Sequence, residues 1–226
     1  MTKQALTVRA TGITREFPIR NADPARILKG IDLEIPSGKL TILRGRSGSG
    51  KTTLLNILSA LDQPTDGQVW FDDVEITARR EAEREQIRKH QIGYVFQSVA
   101  LMPLLTAYEN VEYALRLTGQ KQGADARVRE CLTRVGLAGR MQHYPSELSG
   151  GEQQRVAIAR AMAHRPRIIF ADEPTGELDT RMSMQVVRIF QQLTQDEAIT
   201  VLMTTHNPEV MEIGDVVYEI EDGVLL

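Results

Sequence analysis

One glycine-rich loop constrains the fold of this chain more than any other feature. Residues 45–52 read GRSGSGKT and match the phosphate-loop pattern G-x-x-x-x-G-K-[ST]. The apolar residues 40–43 before the loop predict a strand, and residues 51–61 after it predict a helix. A strand, a glycine-rich loop and a helix in this order open a nucleotide-binding α/β unit. The sequence therefore predicts an α/β fold with a phosphate site.

The same loop predicts how phosphate is held. Glycines allow a backbone path that points successive N–H groups at phosphate oxygens, and the helix N-terminus adds partial positive charge. We expect Lys51 to bridge the β- and γ-phosphates and the Thr52 hydroxyl to coordinate Mg²⁺. The predicted phosphate-binding residues are Gly45, Arg46, Ser47, Gly48, Ser49, Gly50, Lys51, Thr52 and Thr53.

A second apolar segment ends in two acidic residues. Residues 168–171 read IIFA and precede Asp172 and Glu173, as expected for a buried parallel strand. We expect the Asp172 carboxylate to hold the water shell of Mg²⁺ and Glu173 to polarise an attacking water. Alone, such a segment is as often a strand entering a loop, but beside a phosphate loop the functional interpretation is favoured.

Composition excludes several classes of protein. The 226 residues carry 27 basic and 30 acidic side chains, a net charge of −3, so we expect no nucleic-acid partner. No apolar stretch approaches the roughly 20 residues of a membrane-spanning helix, and the N-terminus lacks the apolar segment of a signal peptide. The single cysteine, Cys131, lies in an i, i+3, i+4, i+7 apolar series with Val128, Leu132 and Val135, which predicts a buried thiol.

The most diagnostic segment is residues 148–155, LSGGEQQR. Ser-Gly-Gly before the helical residues 152–163 predicts a second helix N-terminus able to hold an anion. The segment resembles the LSGGQ signature of the ATP-binding cassette (ABC) ATPases, with Glu152 where glutamine is commonest, a variant also typical of that family. The resemblance implies that Ser149, Gly150, Gly151 and Glu152 contact nucleotide.

Other family landmarks follow in order along the chain. Gln97 resembles the glutamine that contacts Mg²⁺ or the attacking water and links to the membrane partner. Residues 176–179 resemble the D-loop, although Glu177 stands where Asn or Ala is more familiar. His206 resembles the switch histidine that contacts the γ-phosphate; without this context it would be a surface or core histidine. Phe17 lies where the family often stacks a tyrosine on adenine, or it is simply a core residue.

The resemblance implies an architecture and partners. It implies one nucleotide-binding domain over residues 1–226: a P-loop α/β core, an antiparallel β-subdomain, and a helical subdomain at about residues 98–164 carrying the signature. Apolar β patterns at residues 6–10, 31–35 and 200–204 agree with it. It further implies ATP and Mg²⁺ as ligands, a head-to-tail homodimer, and a separate transmembrane permease. The chain would then lie in the cytoplasm, on the inner face of the membrane.

Several short segments most resemble the macrolide-efflux and lipoprotein-release group of ABC ATPases. They are residues 28–30 (LKG), 96–97 (FQ), 101–103 (LMP) and 109–111 (ENV). This resemblance implies an exporter or a mechanotransmission system whose permease has four membrane helices and an extracytoplasmic domain. Two alternatives remain: a soluble ABC ATPase of DNA repair or translation, and a regulatory module that binds nucleotide without hydrolysing it.

Overall fold

The structure, a computed structural model, describes residues 7–226; residues 1–6, the start of the predicted domain and of the predicted strand at residues 6–10, lie outside it. The strands are β1 (Val8–Ile19), β2 (Ala22–Ile35), β3 (Leu40–Arg44), β4 (Asp66–Phe71), β5 (Val74–Glu75), β6 (Ile92–Val95), β7 (Ile168–Ala171), β8 (Thr200–Thr205), β9 (Val216–Glu221) and β10 (Val224–Leu225). The helices are α1 (Lys51–Leu58), α2 (Glu81–Gln91), α3 (Ala107–Leu117), α4 (Ala124–Arg134), α5 (Gly150–Met162), α6 (Thr180–Glu197) and α7 (Pro208–Met211).

A six-stranded sheet forms the centre of the fold. Its order is β10-β9-β3-β8-β7-β6, and every pairing is parallel except that of the terminal strand β10 with β9. Parallel strands need crossover connections, which the chain makes with α5 and α6 before β7 and β8. The carboxyl ends of β3, β7 and β8 therefore meet at one edge of the sheet, where open α/β sheets bind ligands.

Alternate residues of the central strands enter two different hydrophobic cores. In β7, Ile169 packs into the core shared with α3, α4, α5 and α6, whereas Phe170 packs into the core shared with α1 and the β-subdomain. In β8, Val201 and Leu202 divide in the same way. Successive side chains of a strand point to opposite faces, so the central strands β3, β7 and β8 are covered on both sides and are largely apolar. This burial explains the near-continuous apolar segments of the sequence.

The second sheet is antiparallel, with the order β2-β1-β4-β5. It packs on α1 through buried residues such as Val8, Ile13 and Val69. The turn at Gly223, between β9 and β10, joins this sheet to the phosphate loop, because the Lys29 N–H donates to the Gly223 carbonyl and the Gly223 N–H donates to the Ser49 carbonyl. The β-subdomain therefore supports the phosphate loop through the terminal turn.

Residues 98–164 contain α3, α4, two 3-10 turns and α5, and no strand within that described range. Capping residues fix where the helices begin: the Thr106 hydroxyl accepts the Glu109 N–H at α3.

The predicted class, a P-loop α/β core with an antiparallel β-subdomain and a helical subdomain, is confirmed. The helix after the loop ends at Leu58, earlier than the predicted residue 61, and Ala60 adopts a left-handed φ of 60°. No helix within residues 7–226 is long and apolar enough to cross a membrane.

Burial makes Cys131 unreactive. Its side chain is fully buried, as predicted, and burial raises the pKa of the thiol to about 12. Because the thiolate is the reactive form, we expect no labelling by a water-soluble disulfide reagent at pH 8 in the folded protein. One equivalent should react after unfolding in guanidinium chloride. Rapid stoichiometric labelling of the native protein would contradict this burial.

Candidate functional site

The glycine-rich loop lies between β3 and α1, at the carboxyl end of the central strand. A Cβ atom at Gly45 would lie 2.3 Å from the Ile220 carbonyl oxygen, so this position accepts no side chain without a backbone shift. Gly50 caps α1 with a φ of 105°, a conformation that glycine adopts without steric cost. The first N–H groups of α1 have no carbonyl partner within the helix. The first turn of α1 contains no acidic residue whose negative charge could offset the partial positive charge of these N–H groups. The helix N-terminus is therefore suited to binding an anion.

Lys51 is held at the centre of the loop. Its ammonium donates to the carbonyl oxygens of Gly45 at 2.9 Å and Arg46 at 3.0 Å, and its side chain is 4% exposed. The Lys51 Nζ also lies 3.3 Å from Glu173 Oε1. A buried ammonium fixed by two carbonyls and one carboxylate is well placed to contact a phosphate in the loop.

Two acidic residues follow β7, as the sequence predicts. Asp172 is 4% exposed, and its Oδ1 accepts a hydrogen bond of 2.8 Å from the Thr204 hydroxyl. Glu173 adopts a φ of 42°, which is uncommon for a residue with a side chain. Its Oε2 lies 3.2 Å from His206 Nδ1, so the carboxylate stands between the lysine of the loop and the histidine after β8.

These residues surround one cleft of about 700 Å³. The lining residues are Phe17, Ile27, Arg46, Ser47, Gly48, Gly50, Lys51, Thr52, Thr53, Gln97, Glu173 and His206. Gly45 and Ser49, the other two predicted residues of the loop, do not line the cleft. The cleft has the volume of a small-molecule site. The fold therefore brings together residues from five separate parts of the sequence around a single basic loop.

An adjoining opening carries oxygen ligands. Thr52, Gln97 and Asp172 all line it, supplying a hydroxyl, an amide and a carboxylate oxygen. Mg²⁺ prefers oxygen ligands and commonly binds through one or two protein groups together with substrate phosphates. The donor set next to the phosphate loop therefore fits a magnesium ion.

The aromatic side of the cleft is formed by Phe17 in β1. Its ring is 39% exposed, and the Arg15 guanidinium lies 4.5 Å from the ring centroid. Arg15 is held in turn by Asp62 at 2.9 Å. A ring exposed at the cleft is unlike a core phenylalanine, so the structure disfavours the alternative that Phe17 is simply a core residue.

The signature segment lies at the N-terminus of α5, and its exposed serine does not line the cleft of its own chain. The Ser149 hydroxyl donates to Glu152 Oε2 at 2.9 Å and accepts the Glu152 N–H at 3.3 Å. The Ser149 N–H bonds the same carboxylate, and the Arg140 guanidinium adds an ion pair. These contacts, the Ser149 N–H first, hold the pKa of Glu152 below its usual range. Glu152 therefore completes a capping box, and its contact with nucleotide stays a prediction.

Comparison with known proteins decides the family. The profile of the ABC transporter family matches residues 28–176, about two thirds of the chain. The chain belongs to the ABC transporter family. It is an ATP-binding and ATP-hydrolysing cassette of that family, as the signature predicts. In fold it is similar to a solved dimeric post-hydrolysis state of the ATP-binding cassette MJ0796 bound to ADP and Pi, with a TM-score of 0.89, 37% identity and 96% coverage of both chains.

Curated relatives agree with the expected subgroup of ABC cassettes. The chain is 45% identical to the ABC transporter ATP-binding protein YtrE of Bacillus subtilis, over 88% of this chain and 87% of the relative. It is 40% identical to the lipoprotein-releasing system ATP-binding protein LolD 2 of Rhodopirellula baltica, over 97% and 89%. It is also 44% identical to a macrolide export ATP-binding/permease protein, MacB, of Syntrophobacter fumaroxidans, over 88% of this chain. The chain spans only 28% of that relative. The predicted resemblance to the macrolide-efflux and lipoprotein-release group is confirmed.

Sequence reasoning missed two groups in this ABC cassette. Ile27 lines the cleft from β2, a strand predicted only at its far end. Thr204 bonds Asp172 and also accepts the Glu173 N–H at 2.7 Å. The available signal for Thr204 was its place near the end of a buried strand that leads directly to His206.

Proposed function

We propose that this cleft is the ATP site of a transport ATPase and that residues 1–226 form a single nucleotide-binding domain. One observation carries the assignment: the phosphate loop, Glu173 and His206 face a single cleft, with Lys51 and His206 on either side of the Glu173 carboxylate. A regulatory module that only binds nucleotide has no need of this arrangement. The names of the relatives, all transport systems, favour transport over DNA repair or translation.

The side chains divide the reaction between them. Lys51 and the loop N–H groups hold the β- and γ-phosphates, and Phe17 stacks on the adenine ring. Glu173 accepts a hydrogen bond from the attacking water and polarises it toward the γ-phosphorus. His206 orients this carboxylate and contacts the γ-phosphate. Gln97 lies at the join of the two openings, where it contacts the water or the metal.

Magnesium belongs to the same proposal. The Thr52 hydroxyl and the Asp172 carboxylate, with the Gln97 amide, would hold Mg²⁺ directly or through its waters. When bound, the ion neutralises charge on the β- and γ-phosphate oxygens. The Asp172 carboxylate is buried, and the Thr204 hydroxyl already fixes its orientation by a hydrogen bond. Binding of the metal would therefore require little rearrangement of this side chain.

The working unit is a head-to-tail homodimer. The exposed Ser149 and Gly150 lie at the N-terminus of α5, where the Gly150 N–H points away from the helix and is placed to meet an anion outside its own chain. In the dimer they would cover the γ-phosphate held by the partner's loop, so each ATP is shared by two chains. The similar MJ0796 cassette is described as dimeric, which supports this arrangement. Hydrolysis would weaken the dimer through loss of the bridging phosphate.

Two such chains would drive a separate permease. The dimer would lie in the cytoplasm against the inner face of the membrane, held there by its permease, in an exporter or mechanotransmission system. The relatives include lipoprotein release and macrolide export proteins, which supports this class.

Nucleotide binding is tested by thermal unfolding. With Mg²⁺ present, ATP at 100 times its Kd should stabilise the chain by about 2.7 kcal/mol, because ATP binds only the folded state. For a chain of this size the melting temperature should rise by roughly 5–10 °C. AMP is the matched control, since it lacks both phosphates that the loop holds.

AMP at the same concentration should raise the melting temperature by less than about 2 °C. Phosphate release from ATP, measured on the same preparation, establishes turnover. Equal shifts with ATP and AMP would exclude the loop as the phosphate site. A shift with ATP but no phosphate release, even with the permease added, would favour the regulatory alternative.

A further inference from the structure

A single hydroxyl joins the two acidic residues of the site. The Thr204 hydroxyl donates to Asp172 Oδ1 at 2.8 Å and accepts the backbone N–H of Glu173 at 2.7 Å. Thr204 is 0% exposed. A hydroxyl has one hydrogen to donate, and here that hydrogen is committed to the carboxylate while the oxygen accepts the amide.

The strand register explains why Thr204 reaches both groups. β7 and β8 are parallel, and Met203 pairs with Ala171, the last residue of β7. Thr204 is therefore the next residue along β8, beside the point where β7 ends and the two acidic residues begin. Valine would fill the same volume and suits a buried strand equally well. Packing alone thus gives no reason for a hydroxyl at this position.

The backbone of Glu173 gives that reason. Its φ of 42° is a left-handed conformation that strains a residue with a side chain and persists only when the surroundings fix it. The Thr204 hydroxyl holds the N–H of this residue, and the Gly176 N–H bonds its carbonyl at 3.0 Å. Both ends of the strained residue are therefore anchored, and its carboxylate is held between Lys51 and His206.

We propose that Thr204 is a positioning residue for ATP hydrolysis, which sets the Asp172 carboxylate toward the metal position and the Glu173 carboxylate toward the attacking water. The inference rests on the proposed function. Small displacements of reacting groups cost up to about 100-fold in rate. Because Thr204 lies behind the acidic residues and does not line the cleft, its hydroxyl affects turnover more than nucleotide affinity.

The test compares Thr204→Val, which removes the hydroxyl, with Thr204→Ser, which keeps it. Thr204→Val should lower kcat at least about 10-fold with the KM for ATP within about threefold, and Thr204→Ser should stay within about threefold of the wild type in both. Thr200→Val is the matched control: Thr200 is equally buried at the opposite end of β8, and its hydroxyl accepts the Gly38 N–H. Its kcat should stay within about twofold of the wild type.

Amide hydrogen exchange by NMR, without nucleotide, gives a second readout. The Glu173 N–H should be protected in the wild type and in Thr204→Ser, and should exchange at least about 10-fold faster in Thr204→Val. If Thr204→Val does not fold, hydrogen exchange of the wild type alone tests the inference, because a Glu173 N–H that is unprotected in the wild type overturns it. Equal kcat losses in the valine and serine variants also overturn it, as does an unchanged kcat in Thr204→Val. The proposed function fails separately, if Glu173→Gln hydrolyses ATP at the wild-type rate.

Discussion

Glu173→Gln is expected to lower ATP hydrolysis by at least about 100-fold while ATP binding survives, because an amide cannot polarise water as a carboxylate does. The substitution keeps the shape of the side chain and one oxygen. In the structure Glu173 Oε1 lies 3.3 Å from Lys51 Nζ, and Glu173 Oε2 lies 3.2 Å from His206 Nδ1. Glutamine can retain one of these contacts. The cleft should therefore keep its shape and its affinity for ATP, and lose only the hydrolysis of ATP.

The same variant should trap the dimer. If ATP bridges two chains and only hydrolysis releases them, Glu173→Gln with ATP should elute as a dimer in size-exclusion chromatography. The wild type should return to monomer as ATP is consumed. Glu212→Gln is the matched control, since Glu212 is an exposed glutamate away from the cleft, and it should behave as the wild type. A Glu173→Gln profile that stays monomeric at high protein concentration would count against the dimer mechanism.

The part of the fold that carries phosphate chemistry could be predicted from sequence because its signals are local. The strands at residues 40–43, 168–171 and 200–204 are covered on both faces, so their apolar character is nearly continuous and hard to mistake. The signal of the phosphate loop is also local, because the backbone path of the loop requires glycines within one short segment, residues 45–52. The structure extends these strands by no more than one residue.

The remaining parts depend on partners distant in sequence. The sequence predicts only residues 31–35 of β2, because the other end of its hairpin with β1, where Asn21 takes a φ of 62°, is largely exposed and has no continuous apolar segment at residues 20–26. The Thr204 bonds form only when β7 and β8 lie side by side. The role of Glu152 in capping was different: serine followed three residues later by glutamate is a local capping-box signal. The resemblance of the same segment to the signature indicates a nucleotide contact for Glu152, whereas in the structure its carboxylate is bound to Ser149 and Arg140.

Activity is expected to reappear when two inactive variants are mixed. Lys51→Ala should abolish hydrolysis, because the ammonium that contacts the phosphates is lost. Ser149→Arg keeps its own loop but places a bulky cation at the exposed cap of α5. Each homodimer then has two defective sites. A mixed dimer has one intact site, built from the loop of the Ser149→Arg chain and the signature of the Lys51→Ala chain.

The expected recovery follows from the symmetry of the dimer. Equal amounts of the two variants give about half mixed dimers, so phosphate release should reach up to about a quarter of the wild-type value if one site can work alone. A signature acting within its own chain predicts no recovery, and so does strict coupling between two sites. Crosslinking separates these cases: a cysteine at Ser149 of one variant should form a disulfide with a cysteine at Ser47 of another. Both positions are exposed, and the native Cys131 is buried, so it should not compete. A crosslink between chains, formed only with ATP, would establish that the signature of one chain covers the loop of the other.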